Sequence, residues 1–157
     1  MNSFSCLKSF CALVLCAGLV WSSAARSAIT EIQPLDFGQW AITNNTGFKT
    51  ITVNPNGSFS NSPGLVNIVR PPQQGVYRVD GLPPFTAVAS VNVTMIDPMQ
   101  GGNQVFTLES FQVVYDPTTN SSGEVNITLG ATAKTTGTGV PYDDAVYNGT
   151  LQLDINW

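Results

Sequence analysis

The sequence predicts an all-β protein whose strands form a two-sheet antiparallel sandwich. Short runs rich in Val, Ile, Thr, Phe and Tyr alternate with turn signals such as Pro55-Asn56-Gly57 and Asp97-Pro98. No window places apolar residues at helical spacing between suitable caps. About eight or nine strands over about 130 residues are typical of an immunoglobulin-like sandwich.

The strands follow from alternation, because side chains of a strand point to opposite faces in turn. Val125, Ile127 and Leu129 form one clear row. The predicted strands lie near residues 28–33, 35–42, 47–54, 64–70, 75–80, 86–96, 104–116, 123–134 and 145–157. We find no linker, internal repeat or second domain between them, so residues 26–157 are predicted to form a single domain.

Two of these strands change phase partway. Phe106 and Leu108 occupy even positions, whereas Phe111, Val113 and Tyr115 occupy odd ones. In the same way, Leu35 and Phe37 are followed by Trp40 and Ile42, with Gly38 between them. One extra residue moves every later side chain to the other face, so a β-bulge is predicted at Glu109-Ser110 and another at Gly38.

The last strand has the cleanest pattern in the chain. Its apolar face is predicted to carry Leu151, Leu153, Ile155 and Trp157. Its polar face is predicted to carry Thr150, Gln152, Asp154 and Asn156. A half-buried strand that runs to the end of the sequence is a candidate sheet edge, and such an edge can pair with another chain. These four apolar residues are therefore the candidate assembly strand.

The N-terminal residues have the features of a secretory signal peptide. Lys8 precedes an apolar run over residues 10–21, and small residues follow it. The run is short for a bilayer span, which takes roughly 17–25 residues. Small residues at the −3 and −1 positions favour cleavage after Ala25, with Ser27 as the alternative. The chain should then be exported from a bacterial cell, to the periplasm, the outer surface or a fimbria, with no transmembrane segment in the mature part.

Composition excludes several classes of function. The three cysteines, Cys6, Cys11 and Cys16, all lie in the predicted signal, so the mature chain has no disulfide or thiol site. The net charge is −4 and the charges are scattered, so the basic surface of a nucleic-acid binder is missing. With 10% charged residues and many Thr and Asn, the composition is typical of a rigid extracellular β-protein.

The sequence offers little for catalysis. It contains no histidine, which excludes histidine-based triads and histidine metal sites. Carboxylates at Glu109, Asp116 and Asp143-Asp144 could in principle hydrolyse glycosides, but only residue type singles them out. Asp116 and Glu124 offer oxygen ligands for calcium without the spacing of a calcium-binding loop. We therefore expect no enzyme, no cofactor and no metal site.

Four segments together carry a resemblance to a known group of proteins. They are Leu35-Asp-Phe-Gly38, Tyr77-Arg-Val-Asp-Gly81, Leu129-Gly-Ala-Thr132 and Tyr147-Asn-Gly-Thr-Leu-Gln-Leu-Asp-Ile-Asn-Trp157. The chain resembles a family of small exported bacterial all-β domains of unknown function. The alternating ending is also similar to that of chaperone–usher fimbrial subunits, whose incomplete sandwich accepts a strand from a chaperone and then from the next subunit.

The resemblance implies a fimbria-like structural or surface subunit that assembles by β-strand pairing. Its partners would be copies of itself and a periplasmic chaperone. Its donor segment would be residues 27–33, with Ala28 and Ile32 on one face and Ile29 on the other. The chain differs from fimbrial subunits in its short donor segment and in Pro34, which cannot donate a ladder hydrogen bond. The alternatives are a periplasmic or extracellular binding domain that does not polymerise and a carboxylate-dependent glycan hydrolase.

Overall fold

The structure is a computed structural model, and it describes residues 27–67 and 70–157. This part of the chain consists of strands, turns and loops. The strands are β1 (Ala28–Gln33), β2 (Trp40–Ile42), β3 (Thr50–Val53), β4 (Phe59–Asn61), β5 (Leu65–Asn67), β6 (Gly75–Asp80), β7 (Ser90–Gln100), β8 (Val105–Tyr115), β9 (Val125–Lys134) and β10 (Asn148–Asn156). The predicted all-β class is confirmed.

The main sheet is antiparallel and is built around β9. Strand β8 lies on one side of β9, and β6 and β3 share its other side. From β8 the hydrogen bonding continues to β7 only through the pairs Met99–Phe106 and Gln100–Val105, and β7 then pairs with β10. The sheet therefore curls over at this hairpin, and β7 and β10 form a second layer opposite β6 and β9.

Strands β1, β2, β5 and β6 form an antiparallel ribbon that contributes to both layers. β1 pairs with β6, Asp36 bridges Gln73, and β2 pairs with β5. Between these pairings the backbone turns at Gly38, whose φ is +78°. A Cβ atom there would lie 2.4 Å from the carbonyl oxygen of Arg70, so only glycine fits this turn. One end of the ribbon is thus an edge of the main sheet, and the other end covers the core.

The core has two adjoining apolar clusters between the layers. The first contains Phe37, Ile51, Val53, Leu65, Phe106, Leu108, Ala131 and Ala133. The second contains Tyr77, Val79, Leu82, Val88, Val125, Ile127 and Leu129. Strand β9 supplies residues to both clusters, because its side chains are covered by the second layer along most of its length. The partly buried Leu35, Phe111 and Leu151 also pack against both.

The two predicted phase changes have different structural causes. In β8 the register shifts between Glu109 and Gln112, and Ser110 has a φ of +53°, so the predicted bulge is present. Residues 35–42, predicted as one bulged strand, instead turn at Gly38, and only Trp40–Ile42 form a regular strand. The short strand β4 was not predicted, since Phe59–Asn61 shows no alternation long enough to detect.

The predicted signal peptide and its cleavage site after Ala25 lie outside the described residues. Among the residues that are described, no helix has the length and apolar character needed to cross a membrane.

Candidate functional site

The predicted assembly strand, β10, lies at an edge of the curled sheet. It pairs with β7 from Asn148 to Asn156, and in the described part of the chain it has no strand on its other side. Leu151, Leu153 and Ile155 are partly buried and pack against the core clusters. Trp157 differs from the expectation of a shared buried face, since it follows the last pair, Asn156–Ser90, and is 53% exposed.

A groove of about 1310 Å³ runs beside the unpaired edge of β10. One wall is residues 142–151 together with Leu153, and the facing wall is residues 34–42. The floor consists of core side chains from the main sheet: Ile51, Tyr77, Phe106, Leu108 and Ala133. Among the described residues β2 pairs only with β5, so the groove lies between two edges, that of β10 and that of residues 34–42.

An aromatic cluster closes one end of the groove. The ring of Phe106 lies 4.5 Å from that of Tyr142 and 5.1 Å from that of Tyr147, measured between centroids. The Tyr142 hydroxyl donates to the carbonyl oxygen of Val105 at 2.7 Å and accepts from the amide of Thr136 at 3.0 Å. These contacts hold the loop before β10 against the main sheet, so this end of the groove is rigid.

The rim of the groove carries more negative than positive charge. Its acidic residues are Glu31, Asp36, Asp143 and Asp144, and its basic residue is Arg70. Asp36 forms an ion pair with Arg70 at 3.0 Å, and Asp143 Oδ2 accepts from the amide of Asn103 at 2.8 Å. Burial above all, and then the nearby charge of Asp143, raise the pKa of the Tyr147 phenol above its ordinary value.

The candidate donor segment does not lie in the groove. Residues Ala28–Gln33 form β1, which pairs with β6 at the opposite edge of the main sheet. Ile29 is 48% exposed and Ile32 is 57% exposed, so neither apolar side chain contributes to the core. The segment thus completes one edge of its own sheet and leaves the edge of β10 unpaired.

The carboxylates considered for catalysis are distributed over separate parts of the molecule. Glu109 forms an ion pair with Lys134 at 3.3 Å, and Asp116 accepts two hydrogen bonds from Asn126. Only Asp143 and Asp144 of this set line the groove. Glu124 binds Asn120 at 2.8 Å, and the described residues contain no group of three or more side chains arranged to hold a metal ion.

The match to a family model decides the classification. The chain belongs to the family described as Domain of unknown function (DUF4402). The model matches residues 28–157, which begins at the first residue of β1 and ends at Trp157. No curated protein and no solved structure matches the chain. Family membership therefore identifies the domain, and its function has to be inferred from the site.

Sequence reasoning identified one wall of the groove and missed the other. The alternation of β10 predicts an edge, whereas the pattern around Trp40 and Ile42 predicts a strand over residues 35–42 with a bulge at Gly38. Their true position depends on the turn at Gly38 and on pairing with residues distant in sequence. The aromatic pair Tyr142 and Tyr147 carries a detectable signal, because two tyrosines flank a loop immediately before a predicted edge strand.

Proposed function

We propose that this chain is an exported, non-enzymatic structural or surface subunit of a bacterial envelope, fimbria-like in its assembly by β-strand pairing. The observation that carries the proposal is the unpaired edge of β10 beside a groove whose floor is apolar core. An edge strand presents a row of unsatisfied N–H and C=O groups, and an added strand satisfies them. The added strand would at the same time cover the partly buried apolar side chains of the walls, such as Trp40, Ile42 and Leu151.

The shape of the groove favours a polypeptide strand over a small ligand. The groove has strand backbone on the β10 side and residues 34–42 on the other, so a strand placed in it has hydrogen-bonding neighbours on both flanks. Its floor is a row of aliphatic and aromatic side chains that alternate side chains of a strand can contact. The floor side chains are already buried, so the apolar surface that a strand would remove from water belongs to partly buried wall residues such as Trp40, Ile42 and Leu151. Burying such surface is worth about 25 cal/mol per Å².

The arrangement of carboxylates favours a structural role over glycoside hydrolysis. Hydrolases place two carboxyl groups about 5–9.5 Å apart on either side of the scissile bond. Asp143 and Asp144 are adjacent on one loop, hence on one wall of the groove. Asp36 lies on the facing wall, where its carboxylate is engaged with Arg70 at 3.0 Å and with the amide of Gly38 at 2.8 Å.

The resemblance to chaperone–usher subunits supports the same proposal and suggests the partners. A periplasmic chaperone would cover the groove before assembly, because an open apolar groove is an aggregation hazard. Another chain would then take its place. A domain that binds a foreign segment without polymerising would use the same groove, so the two possibilities differ in what fills it.

Amide hydrogen exchange tests the proposal directly. Half of the β10 amides point away from β7 and should exchange rapidly in the isolated monomer, then become protected when the protein assembles. Amides of β9, which is paired on both sides, provide the internal reference. A protein that stays monomeric in the envelope, with β10 exchange unchanged from the isolated form, would contradict the proposal.

Export is tested by N-terminal sequencing of the protein from the envelope fraction. We expect the chain to begin at Arg26, or at Ala28 if cleavage follows Ser27. A chain that begins at Met1, or one that carries lipid on Cys16, would contradict signal-peptide cleavage.

A further inference from the structure

We infer that the strand that fills the groove is β1 of a second copy of this chain, and that two copies exchange β1 reciprocally to form a closed pair. The inference rests on the proposed function in one respect, that the groove accepts a strand. It goes beyond that function by giving the register and direction of the donated strand and the closed, reciprocal symmetry of the assembly.

β1 is held in its own domain mainly by backbone pairing. The side chains of β1 are exposed, except that of Gln33, which is partly buried. Its side-chain hydrogen bonds are few: Thr30 Oγ1 to Asp80 at 3.4 Å and Gln33 Nε2 to the carbonyl of Gln74 at 2.6 Å. Removing β1 therefore exposes the edge of β6 and leaves the two core clusters assembled.

The end of β1 leads into the groove. Glu31, Pro34 and Leu35 all line it, so β1 and the groove adjoin at this point. The β1–β6 pairing is irregular between Glu31 and Gln33, and Pro34 has no amide hydrogen with which to continue it. A change of backbone direction at Gln33-Pro34 would therefore move β1 as a unit, and the hydrogen bonds that β1 loses to β6 would be replaced by those to β10 of the other copy.

β1 has as many residues as the part of β10 that borders the groove. The groove borders β10 from Asn148 to Leu153, which is six residues, and β1 also has six. Antiparallel addition, the mode of all the described strand pairs, can place Gln33 beside Asn148 and Ala28 beside Leu153. β1 then spans the part of β10 that borders the groove, and residues 154–156 continue beyond it.

The side chains of β1 fit this register. Directly opposed residues share a face of the sheet, so Ala28 and Thr30 point to the floor with Leu153 and Leu151. Ile32 comes opposite Gly149, which has no side chain to obstruct it. Glu31 points to solvent, so no carboxylate enters the apolar floor. A shift of one residue would turn Glu31 inward, which the cost of burying a charge disfavours.

Antiparallel addition is compatible with two-fold symmetry. It brings the donor's Pro34 to the Asn148 end of the acceptor groove, and the acceptor's own Pro34 lines that same groove. A two-fold axis can then relate the copies, with each donating and each accepting, which is a closed exchange. Each β6 loses its neighbour in this pair, so an unpaired edge remains on each copy for further strand addition.

Disulfide trapping in the exported, processed protein tests the inference, because all three native cysteines precede Arg26. In the proposed register Ile29 lies opposite Gln152 on the solvent face. The double variant Ile29→Cys/Gln152→Cys should form a covalent pair of twice the monomer mass on oxidation. The control Ile29→Cys/Thr94→Cys places the second thiol on β7, directly across from Gln152, and should stay monomeric.

Each other outcome overturns a stated part of the inference. A ladder of multimers would show exchange that is open rather than reciprocal. An internally oxidised monomer would show that β1 folds into its own groove. No bond between the two positions, together with β10 amides that become protected on assembly, would show a different donor and leave the proposed function intact. No bond and no protection would overturn both.

Discussion

Strands β9 and β10 have similar lengths, 10 and 9 residues, and opposite positions in the sheet. β9 is paired on both sides and packed on its inner face, so Ile127, Leu129 and Ala131 are completely buried. β10 is paired on one side, and all its residues are partly buried or exposed. Both strands alternate apolar residues, yet one is a structural centre and the other an accessible edge.

The comparison separates residues that hold the fold from residues that are available to a partner. β9 pairs with β3, β6 and β8, so a destabilising substitution in β9 should affect both layers. β10 adds apolar side chains to the core but keeps an unpaired edge and a groove beside it. Substitutions in β10 should therefore destabilise the fold less than substitutions in β9. The edge of β10 is also where a partner strand could add the most hydrogen bonds.

The largest expected effect is at the centre of β9. Leu129→Asp should prevent folding, because an ionised carboxylate in a fully apolar site costs more than the about 5–15 kcal/mol that stabilises a domain. Leu129→Ala should fold and lose about 2–5 kcal/mol. Circular dichroism and urea titration measure both. A Leu129→Asp protein with native spectra would contradict the central role of β9.

A smaller effect is expected at β10, where two neighbouring positions form a matched pair. Leu153→Asp should lower the free energy of unfolding by about 3 kcal/mol or block export, because it places a charge against the second core cluster. Gln152→Asp, on the exposed face, should change stability by less than about 0.5 kcal/mol. Equal effects in urea titrations would show that the face assignment of β10 is wrong.

The bulge that borders β9 offers a stabilising change. Ser110 has a φ of +53°, a left-handed conformation that costs an L-residue about 1–2 kcal/mol. Ser110→Gly should raise the free energy of unfolding by about 0.5–1 kcal/mol, after the greater freedom of glycine in the unfolded chain is counted. Thr107→Gly, in the regular part of β8, should instead lose about 1 kcal/mol. If both variants were less stable than the original protein, the conformation of Ser110 would not be a source of backbone strain.

The smallest effect concerns pH and Tyr77, on the floor of the groove. Burial above all, and the negative charge of Glu31, raise the pKa of its phenol above the ordinary value of 10.0, whereas a hydrogen bond with the backbone of Leu35 lowers it. The unfolded chain therefore loses this proton first, so stability should fall as the pH rises above 10. The free energy of unfolding of Tyr77→Phe should fall less steeply above pH 10. Chemical denaturation measures it, with the value at pH 7 as the reference. Identical slopes would show that Tyr77 is not responsible.

Features of the fold that depend on local alternation could be predicted from sequence. The row Val125, Ile127, Leu129 and the phase change at Glu109-Ser110 both appear in the structure, because side-chain direction in a strand is fixed by residue count. The ribbon that joins β1–β6 to β2–β5 could not be predicted. It depends on pairing between residues 28–42 and 65–80, and such long-range pairing leaves no period in the sequence.

The candidate site, too, could be predicted from sequence only in part. The polar face of β10 indicates its edge character, whereas the groove depends on the gap between β10 and residues 34–42. Only the structure shows that β1 occupies the far edge of the main sheet and that residues 34–42 stop short of β10. A composition-based argument could not locate that gap, because the residues that surround it come from eight strands and three loops.

The edge position of β1 also has a mechanical consequence. A force applied at the N-terminus of a lone subunit meets the Ala28–Asp80 pair first, then each later pair in turn, so β1 unzips with little resistance. A strand of the same length lying in the groove and pulled along its axis loads all its hydrogen bonds at once, in shear. The same six residues would then resist tension strongly in an assembly and weakly in a lone subunit.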